Sequence, residues 1–383
     1  MDFNKLTTIK QAFQVNYQYE LHFTSSVFQA ENPLFRGIIE NYAPTRPVKC
    51  LFIIDDKVSQ LHPELVSQIK AYCKENENQL QFTTALVVPG GEIAKKEPNH
   101  TQTILAAIND FAICRHSFVV AIGGGALIDM VGYAATIAHR GVKLIRIPTT
   151  VLAQNDAAVG VKNSINAFGK KNFLGTFSLP YAIINDLDFL ETLEQRDWIS
   201  GVAEAIKVAL IKDKTFFESI ANAAAQLAAR KLEPMARLIH RCAALHMEHI
   251  SKGGDPFESG SSRPLDFGHW AAHKLEYMTN YRLRHGEAVA IGMAIDITYA
   301  CFIDLLSREE RDQIIHVLET IGFDLRIPIE QFQIKELLEG IEEFREHLGG
   351  ELTITLINAV GTKVDVHQID YLVMEKAIAA FIN

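Results

Sequence analysis

Residues 117–140 read SFVVAIGGGALIDMVGYAATIAHR, and they decide which class of fold the chain can form. An apolar run meets three consecutive glycines, and a helical pattern follows directly. Such a run is typical of a strand that is buried on both faces of a parallel sheet. Glycines at the start of the next helix allow a pyrophosphate to approach free backbone N–H groups. The stretch lacks the GxGxxG spacing of dinucleotide sites, so a tight structural turn is the competing interpretation.

The segments around this stretch repeat the same alternation of strand and helix. Strand patterns occur in VKCLFIIDD (48–56), QFTTALVVPGGE (81–92) and VKLIRIPTT (142–150), with helical patterns between them. This alternation predicts an α/β fold in which a parallel, Rossmann-like sheet carries helices on both faces. Residues 157–188 place glycines and a proline between short apolar runs, which predicts irregular β structure that lines a site.

Beyond residue 188 the pattern changes to helices. Periodic apolar spacing predicts long helices over 199–229, 231–251, 268–280, 284–303 and 307–321. We therefore predict two domains, an α/β domain over residues 1–188 and an all-α domain over residues 189–383. A ligand is expected in the crevice between them, because clefts between domains are the usual place for small-molecule sites.

The composition argues against several classes of protein. The 383 residues carry a formal net charge of −9 without a basic block, so nucleic-acid binding is not expected. No apolar run reaches the ~18 residues of a membrane span. The N-terminus, MDFNKLTTIKQAF, does not have the pattern of a secretory signal. The five cysteines are scattered, and we expect them to be reduced thiols of a cytoplasmic protein.

Histidines and one glutamate form a candidate metal site. In the stretch LDFGHWAAH, His269 and His273 are four residues apart and share one helix face. His285 follows in RHGEAVAIGM, and Glu204 lies in the apolar helical stretch AEAIKVALI. One carboxylate and two imidazoles are typical of a catalytic zinc site, and His273 would be left to contact a substrate. The competing interpretation is that the histidines lie on a helix flank and that Glu204 pairs with Lys207 within one helix.

Other charged side chains indicate a cofactor and an anionic ligand. Asp55 and Glu92 follow apolar strands, where they can accept hydrogen bonds from the sugar or base of a nucleotide. Lys162 and Asn172 lie among small and apolar residues, and Lys207 lies in an apolar helix. A charge in such surroundings needs an oppositely charged partner, which favours an anionic substrate group such as phosphate.

In combination, these motifs resemble those of dehydroquinate synthase and its relatives, the sugar-phosphate cyclases, over about residues 15–380. The matching stretches are PGGEIAKK, GGGALIDMVGYAA, HRGVKLIRIPTTVLAQNDAAVGVKNSIN, GKKNFLGTF, SGVAEAIKVALI, LDFGHWAAH and RHGEAVAIGM. The resemblance implies an N-terminal NAD-binding α/β domain, a helical C-terminal metal-binding domain and a homodimer.

The resemblance also implies roles for individual residues. A zinc ion, with cobalt as the alternative, would be held by Glu204, His269 and His285. Contacts to a sugar-phosphate substrate would come from Asp156, Lys162, Asn172, Lys207 and His273, with Arg140 reaching into the site of the neighbouring subunit. NAD+ would be contacted by Asp55, Glu92, Lys95, Gly124, Gly125, Asp129, Thr149, Thr150, Lys171, Phe189 and Thr192.

The reaction implied by the resemblance has several steps in one closed site. NAD+ oxidises a substrate hydroxyl, phosphate is eliminated, the ketone is reduced again, and the opened chain closes to a carbocycle by an intramolecular aldol. The cofactor is therefore regenerated in each turnover, and the protein supplies geometry and electrostatics.

Departures from dehydroquinate synthase indicate a different substrate. Asp266 stands where that enzyme carries a neutral asparagine, and it would repel a substrate carboxylate by about 1–4 kcal/mol at 4 Å. His347 and His246 fall near the positions of two family lysines. A longer loop before Asp266 leaves open whether Arg263 fills the position of a family arginine. These changes predict a substrate that lacks the carboxylate.

We therefore expect a C7 ketose phosphate, sedoheptulose 7-phosphate, to be converted to 2-epi-5-epi-valiolone or an epimer. The stretch HGEAVAIGM is nevertheless closer to dehydroquinate synthase, a mixture that resembles the Ebo-type branch of these cyclases. The alternatives are 3-dehydroquinate synthase itself and a metal-dependent alcohol dehydrogenase of the glycerol dehydrogenase type. The latter shares the fold and the glycine turn, but Lys162, Asn172 and Lys207 argue against it.

Overall fold

The structure is a computed structural model of the chain. It describes residues 8–168, 170–253, 257, 264–347 and 350–382. Arg263, for which the sequence left a substrate contact open, lies outside the described residues. His347 ends a described helix, but its side chain is outside the described part.

A six-stranded sheet forms the centre of the N-terminal half, in the order β1-β8-β5-β4-β2-β3. All five neighbouring pairs are parallel, as the alternation of strand and helix patterns predicts. The strands are β1 (Glu20–Thr24), β2 (Val48–Asp55), β3 (Leu80–Val88), β4 (Phe118–Gly123), β5 (Lys143–Pro148) and β8 (Ala182–Asp186). The parallel α/β architecture is therefore confirmed.

Helices cover both faces of this sheet because its central strands are apolar on both sides. In β2, Phe52 points to a core shared with the first and third helices, and Leu51 and Ile53 point to a core shared with the fifth and sixth. These helices are α1 (Leu34–Tyr42), α2 (Asp56–Leu61), α3 (Leu65–Glu75), α4 (Gly91–Ala94), α5 (Pro98–Asp110) and α6 (Gly125–Ile137).

The chain segment that connects β5 to β8 forms a separate antiparallel hairpin. Its strands are β6 (Lys162–Ala167) and β7 (Lys170–Phe177), and they pair with each other and not with the large sheet. The sequence predicted irregular β structure here, and the structure has a regular hairpin with one register shift between Ile165 and Ala167. Short helical turns precede and follow it, a π-helical turn at Ala153–Ala157 and a 3-10 turn at Leu187–Leu190.

The C-terminal half is mainly helical. Its helices are α7 (Gln195–Lys212), α8 (Lys214–Ala228), α9 (Leu232–Lys252), α10 (His269–Met278), α11 (His285–Phe302), α12 (Arg308–Ile321), α13 (Ile334–His347) and α14 (Tyr371–Ala379). An antiparallel hairpin, β9 (Ile354–Ala359) and β10 (Thr362–Val366), adds β structure that the sequence analysis did not predict. Among the described residues, no helix is both long enough and apolar enough to cross a membrane.

The single helix predicted over residues 199–229 is wrong. The chain breaks at Asp213, whose backbone is extended and whose side chain accepts the N–H of Phe216 as the N-cap of α8. Apolar residues continue through the break because α7, buried on all sides from Trp198 to Ile211, and one face of α8 belong to the same core. The sequence does contain one indication of the break, because aspartate is a preferred N-cap residue at the start of a helix.

Candidate active site

A metal-binding set forms where three helices meet. Glu204 lies in the middle of the buried helix α7, and His269 and His285 are the first residues of α10 and α11. One ligand atom from each of the three lies within 4.8 Å of the others. The Nε2 atoms of His269 and His285 are 3.8 Å and 3.6 Å from the same oxygen, Oε1 of Glu204. Side chains that are distant in the sequence thus face one point.

Hydrogen bonds behind the imidazoles determine which nitrogen faces that point. Nδ1 of His269 lies 3.1 Å from the carbonyl oxygen of Phe267, and Nδ1 of His285 lies 3.2 Å from Oε2 of Glu276. Because these oxygens accept, both Nδ1 atoms carry the proton and leave Nε2 as the lone-pair nitrogen. Metal-binding histidines are usually oriented in this way by a carbonyl or a carboxylate.

The electrostatic state of the site also suits a cation. Burial, followed by the positive charge of Lys207, lowers the pKa of His269 well below its usual value and keeps the ring neutral. Glu276, by contrast, is kept in its charged form. Although burial raises its pKa, the hydrogen bond and charge of His285 and the charge of Lys171 lower the pKa of Glu276 to about 2. Burial lowers the pKa of His285, but the hydrogen bond and charge of Glu276 raise it above its usual value, so this ring releases a proton when a metal binds.

Glu204 provides the test of whether a divalent metal fits. It is 1% exposed, and its Oε1 has no hydrogen-bond partner among the described residues. Its other oxygen forms an ion pair with Lys207 in the same helix, so the pair that the sequence offered as an alternative does occur. That ion pair involves Oε2 and leaves Oε1 without a hydrogen-bond partner among the described residues. A buried, unpaired carboxylate oxygen is costly, and a Zn2+ or Co2+ ion held with the two Nε2 atoms would compensate it.

A cavity of about 480 Å³ opens beside this set. Eight of the residues singled out in the sequence line it: Asp129, Asp156, Lys162, Asn172, Lys207, His246, Asp266 and His269. Its wall comes from the β6–β7 hairpin, from the π-helical turn and from helices of the C-terminal half, so both halves contribute. A larger groove of about 1020 Å³ lies between α8 and α9, and its described lining contains none of the predicted site residues.

Inside the cavity, Asp156 and Lys207 carry opposite charges. Asp156 lies in the π-helical turn, and its Oδ1 is 3.1 Å from Nδ1 of His246, a residue of α9 that the sequence left without an assigned role. Burial raises the pKa of Asp156, but the hydrogen bond from His246 and the charges of His246 and Lys207 bring it well below its usual value. Burial lowers the pKa of Lys207, but the carboxylates of Glu204 and Asp156 raise it above its usual value.

A polar cluster joins the predicted cofactor residues to the cavity. Lys95 is 3% exposed, and its Nζ donates to Asp129, to Ser164 and to Asn172. Asn172 has a backbone φ of 54°, a left-handed conformation that asparagine tolerates better than most residues. The sequence assigned Lys95 and Asp129 to NAD+ and Asn172 to the substrate, and the structure brings them into one network. Ser164 was missed, because a serine in a strand has no distinctive pattern.

The glycine turn and its neighbours lie at the carboxyl ends of β2, β4 and β5. A Cβ at Gly125 would approach Ala157 to 2.9 Å, so packing within the protein requires that glycine. A Cβ at Gly124 would meet only Thr150, at an ordinary 3.6 Å. Space at Gly124 is therefore available to a ligand at the N-terminus of α6, which is where an anion is stabilised.

Other predicted cofactor residues have structural partners at this edge. Asp55 caps α2 by accepting the N–H groups of Lys57 and Val58. Thr149 donates its backbone N–H to the carbonyl of Gly123, and the Thr150 hydroxyl accepts the N–H of Ala153. Each residue thus stabilises the sheet edge in addition to any contact with a ligand.

His62 joins two further residues that the sequence assigned to the cofactor. Its Nε2 is 2.9 Å from Oγ1 of Thr192, and its ring lies 5.1 Å from that of Phe189 between centroids. His62 was missed because a single histidine after a short helix has no recognisable pattern.

Two of the described residues that were predicted to contact the substrate, Arg140 and His273, do not line this cavity in their own chain. Arg140 lines a different surface cavity, with Cys114, Arg115 and His139, and has a left-handed backbone with φ of 61°. His273 is exposed one helical turn after His269, and its ring centroid is 5.4 Å from that of His269 and 6.2 Å from that of His285. His273 thus lies beside the metal-binding set.

Comparison with known proteins identifies the family. Residues 85–200 match the N-terminal part of 3-dehydroquinate synthase, and residues 201–345 match its C-terminal part. The chain belongs to the 3-dehydroquinate synthase family of sugar-phosphate cyclases. The resemblance inferred from the motifs is therefore confirmed.

Individual relatives differ in the activity that their names give. The 3-dehydroquinate synthase of Thermodesulfovibrio yellowstonii is 32% identical over 81% of this chain and 84% of its own length. That of Nitratiruptor sp. is 36% identical over 78% and 79%. Among solved structures, ValA, a 2-epi-5-epi-valiolone synthase from Streptomyces hygroscopicus subsp. jinggangensis with bound NAD+ and Zn2+, superposes with a TM-score of 0.85 at 26% identity. It covers 97% of this chain and 99% of its own.

Proposed function

We propose that this chain is an NAD+- and divalent-metal-dependent cyclase that acts on a C7 ketose phosphate without a carboxylate, with sedoheptulose 7-phosphate as the substrate. The reaction eliminates phosphate and closes a carbocycle of the valiolone type, so the enzyme is a carbon–oxygen lyase. The observation that carries this proposal is the position of Asp266 in the cavity wall beside Lys207.

The charges of the cavity support a substrate with one anionic group. The described lysines of its lining are Lys162 and Lys207, which suit a phosphate. The wall also carries Asp129, Asp156 and Asp266. A second anionic group, such as a carboxylate, would lie near these acids and would be repelled by about 1–4 kcal/mol at 4 Å. Hydroxyl groups, in contrast, can donate hydrogen bonds to them.

The donor set and the nucleotide edge support the two cofactors. Zn2+ or Co2+ would be held by Glu204, His269 and His285, and NAD+ would lie over the glycine turn between Asp55 and Thr150. When bound, the metal would polarise a substrate hydroxyl and NAD+ would accept a hydride from its carbon. ValA, which superposes over nearly the whole chain, contains both groups.

The side chains of this chain would then have separate tasks. Lys162 and Lys207 would bind and orient the phosphate, and His273 would hydrogen-bond to a substrate hydroxyl beside the metal-binding set. Asp156, fixed by His246, would accept a hydrogen bond from another hydroxyl. Such positioning accounts for a large part of the catalysis in reactions that follow one another in a single site.

The second candidate is 3-dehydroquinate synthase activity. It is favoured by identities of 32–36% to enzymes of that name. The charge of Asp266 argues against it, because the substrate of that reaction carries a carboxylate.

An assay of phosphate release distinguishes the two candidates. The purified protein, with NAD+ and Zn2+, is given either sedoheptulose 7-phosphate or the carboxylated 3-deoxy-arabino-heptulosonate 7-phosphate. We expect phosphate only from the first, without net formation of NADH. Turnover of the carboxylated substrate alone would contradict the proposal and support 3-dehydroquinate synthase. Stoichiometric NADH without phosphate would indicate an alcohol dehydrogenase.

We also propose that the enzyme is a homodimer in which Arg140 contributes to the site of its partner. The support is that Arg140 lines a surface cavity of its own chain while the phosphate-binding lysines lie in another. Within each subunit, the boundary between the two domains is proposed near residue 188. The last strand of the sheet ends at Asp186, and the first long helix begins at Gln195.

A further inference from the structure

Glu276 lies between the metal-binding set and the β6–β7 hairpin. Its side chain is 7% exposed, and its two oxygens have different partners. Oε2 is 3.2 Å from Nδ1 of His285, and Oε1 is 3.5 Å from Nζ of Lys171 on β7. One carboxylate therefore contacts a residue from each half of the chain. The reaction as proposed above gives Glu276 no task.

The same hairpin is attached to residues at the nucleotide edge of the sheet. The side-chain amide of Asn166 donates to Oε1 of Glu92 at 3.0 Å, and the Lys95 ammonium donates to Asn172, the neighbour of Lys171. Asn172 in turn donates its backbone N–H to Asn166. The hairpin residues before and after the turn are thus bonded to two residues that we assign to NAD+.

A second contact joins the same two parts of the molecule. Lys96 follows Lys95 in the chain, and its ammonium lies 4.7 Å from the ring centroid of Tyr281, just after α10. Such a cation–π contact is worth about 0.5–1 kcal/mol where it is exposed. The segment around Lys95 therefore contacts the end of the helix that carries both His269 and Glu276.

We propose that Glu276 is a positioning residue that couples metal binding to NAD+ binding. The inference rests on the proposed function in assuming that both ligands bind and that Glu92 contacts NAD+. With NAD+ bound, Glu92 would be ordered and would hold the hairpin through Asn166. Lys171 of the hairpin would then keep Glu276 in the position where it accepts the Nδ1 proton of His285. The ring of His285 is thereby oriented toward Glu204.

The physical basis of this coupling is that the binding of NAD+ and the binding of Zn2+ both require the side chain of Glu276 to be ordered. A glutamate loses side-chain conformational freedom when it is fixed, and a ligand that binds the fixed form does not have to supply that free energy again. NAD+ should therefore increase the affinity for Zn2+, and by linkage Zn2+ should increase the affinity for NAD+ by the same factor. Couplings of this kind are typically about 5- to 150-fold.

The test measures the Zn2+ dissociation constant by competition with a chromophoric chelator, with and without saturating NAD+ and without substrate. Three variants are compared with the parent: Lys171→Met, Glu276→Gln and Lys170→Met. Lys170 is the matched control, because it precedes Lys171 on the same strand, is exposed and lies 5.8 Å from the ring centroid of Phe173. Circular dichroism establishes that each variant is folded.

In the parent and in Lys170→Met, we expect NAD+ to tighten Zn2+ binding by about 5-fold or more. In Lys171→Met, the Zn2+ dissociation constants with and without NAD+ should agree within about 2-fold. NAD+ is kept saturating for this variant by its own dissociation constant, so that weaker NAD+ binding is not mistaken for lost coupling. In Glu276→Gln, Zn2+ binding should weaken by about 10-fold or more under both conditions, because orienting carboxylates typically contribute 10- to 100-fold.

Two results would overturn the inference. The first is a Zn2+ dissociation constant of the parent that does not change when NAD+ is added. The second is a change with NAD+ in Lys171→Met that is as large as in the parent. Either result leaves the proposed function intact, since it concerns only how the ligands influence each other. If the parent protein bound neither Zn2+ nor NAD+, the proposed function itself would fail, and the inference with it.

Discussion

Among single residues, Glu204 is a buried carboxylate with an oxygen that has no hydrogen-bond partner among the described residues. It is buried in the middle of α7, and only one of its oxygens is paired with Lys207. Removing this carboxylate has two effects: it removes a metal ligand, and in the metal-free protein it removes both an oxygen without a hydrogen-bond partner and the ion-pair partner of Lys207. Metal affinity and metal-free stability should therefore respond differently to the same substitution.

We expect Glu204→Gln to reduce Zn2+ affinity by more than about 100-fold, since even indirect partners of a metal contribute 10- to 100-fold. Phosphate release should be lost with the metal. The measurements are metal content by mass spectrometry after gel filtration and activity on sedoheptulose 7-phosphate. Glu248→Gln is the control, because Glu248 lies on the surface of α9 and pairs with Lys252. A variant at position 204 with full zinc content and activity would exclude Glu204 as a ligand.

Between elements, the contact of α10 with α11 determines where His269 and Asp266 lie. Gly268 precedes α10 with a φ of 76°, and its carbonyl oxygen would be 2.0 Å from a Cβ placed on Gly292 in α11. The two backbones approach this closely only because position 292 has no side chain. The side chain of Asp296, one turn later, accepts the N–H of Gly268 and the indole N–H of Trp270.

Gly292→Ala should destabilise the protein by about 1–3 kcal/mol, the usual cost of overpacking a tight contact. The loop before α10 would have to move, so Zn2+ affinity should fall as well. Gly37→Ala in α1 is the matched control, because no described atom lies within 4 Å of a Cβ built there. In a helix, that change should stabilise by up to about 1 kcal/mol. Equal melting temperatures for the two variants would contradict this account of the α10–α11 contact.

Asp296 should make stability depend on pH near neutrality. Burial raises its pKa to about 7, although the two N–H donors oppose that effect. A carboxyl group whose pKa is raised on folding stabilises the protein while it is protonated. That stabilisation is complete below its unfolded-state pKa and is lost as the pH rises through 7. For each pH unit by which folding raises the pKa, the free energy of unfolding changes by about 1.4 kcal/mol across this range.

The melting temperature of metal-free Asp296→Asn, measured relative to the parent, should therefore rise between about pH 5 and pH 8. The variant loses one hydrogen bond at every pH, and its asparagine does not titrate. The way in which the difference in melting temperature changes with pH is therefore the result that reports on Asp296. A difference that stays constant over this range would mean that Asp296 does not titrate there. Asp312→Asn, a change on the exposed face of α12, serves as the control.

On the scale of the whole molecule, the site depends on two halves and, as proposed, on two subunits. The cavity wall takes Lys162 and Asn172 from the hairpin of the first half, and Lys207 and Asp266 from the second. Arg140 lines a separate surface cavity of its own chain and, as proposed, would contact the phosphate of a partner copy. A dimer of this kind has each active site built from both chains.

Mixing two inactive variants tests this arrangement. In a hybrid of Arg140→Ala and Lys207→Ala, one of the two sites has its own Lys207 and receives Arg140 from the partner. Statistical assembly then predicts about one quarter of the parent activity in a co-expressed mixture, although each variant alone is nearly inactive. No recovery in hybrids purified with two different tags would contradict the contribution of Arg140 to the neighbouring site.

The amino-acid sequence by itself determined the parallel sheet, the helical second half and the family. Whether a segment forms a strand or a helix is indicated by residues that are close together in the chain, such as the apolar run FVVAIG and the glycines around Gly123. Local patterns of this kind are sufficient to predict the type of element. The sequence also selected Glu204, His269 and His285, because few residue types bind metals and the motifs containing them are distinctive. It did not detect the break at Asp213, since apolar periodicity continues on both sides.

Only the tertiary structure decided how these residues are oriented and connected. The contacts of Glu276 with His285 and Lys171, of Asp156 with His246, and of Asp296 with Gly268 join residues that are 9 to 105 positions apart. Such contacts result from the packing of helices and of the hairpin against each other, and no local pattern encodes that packing. For the same reason the structure, and not the sequence, identifies which nitrogen of each histidine faces Glu204 and which carboxylate lies between the two halves.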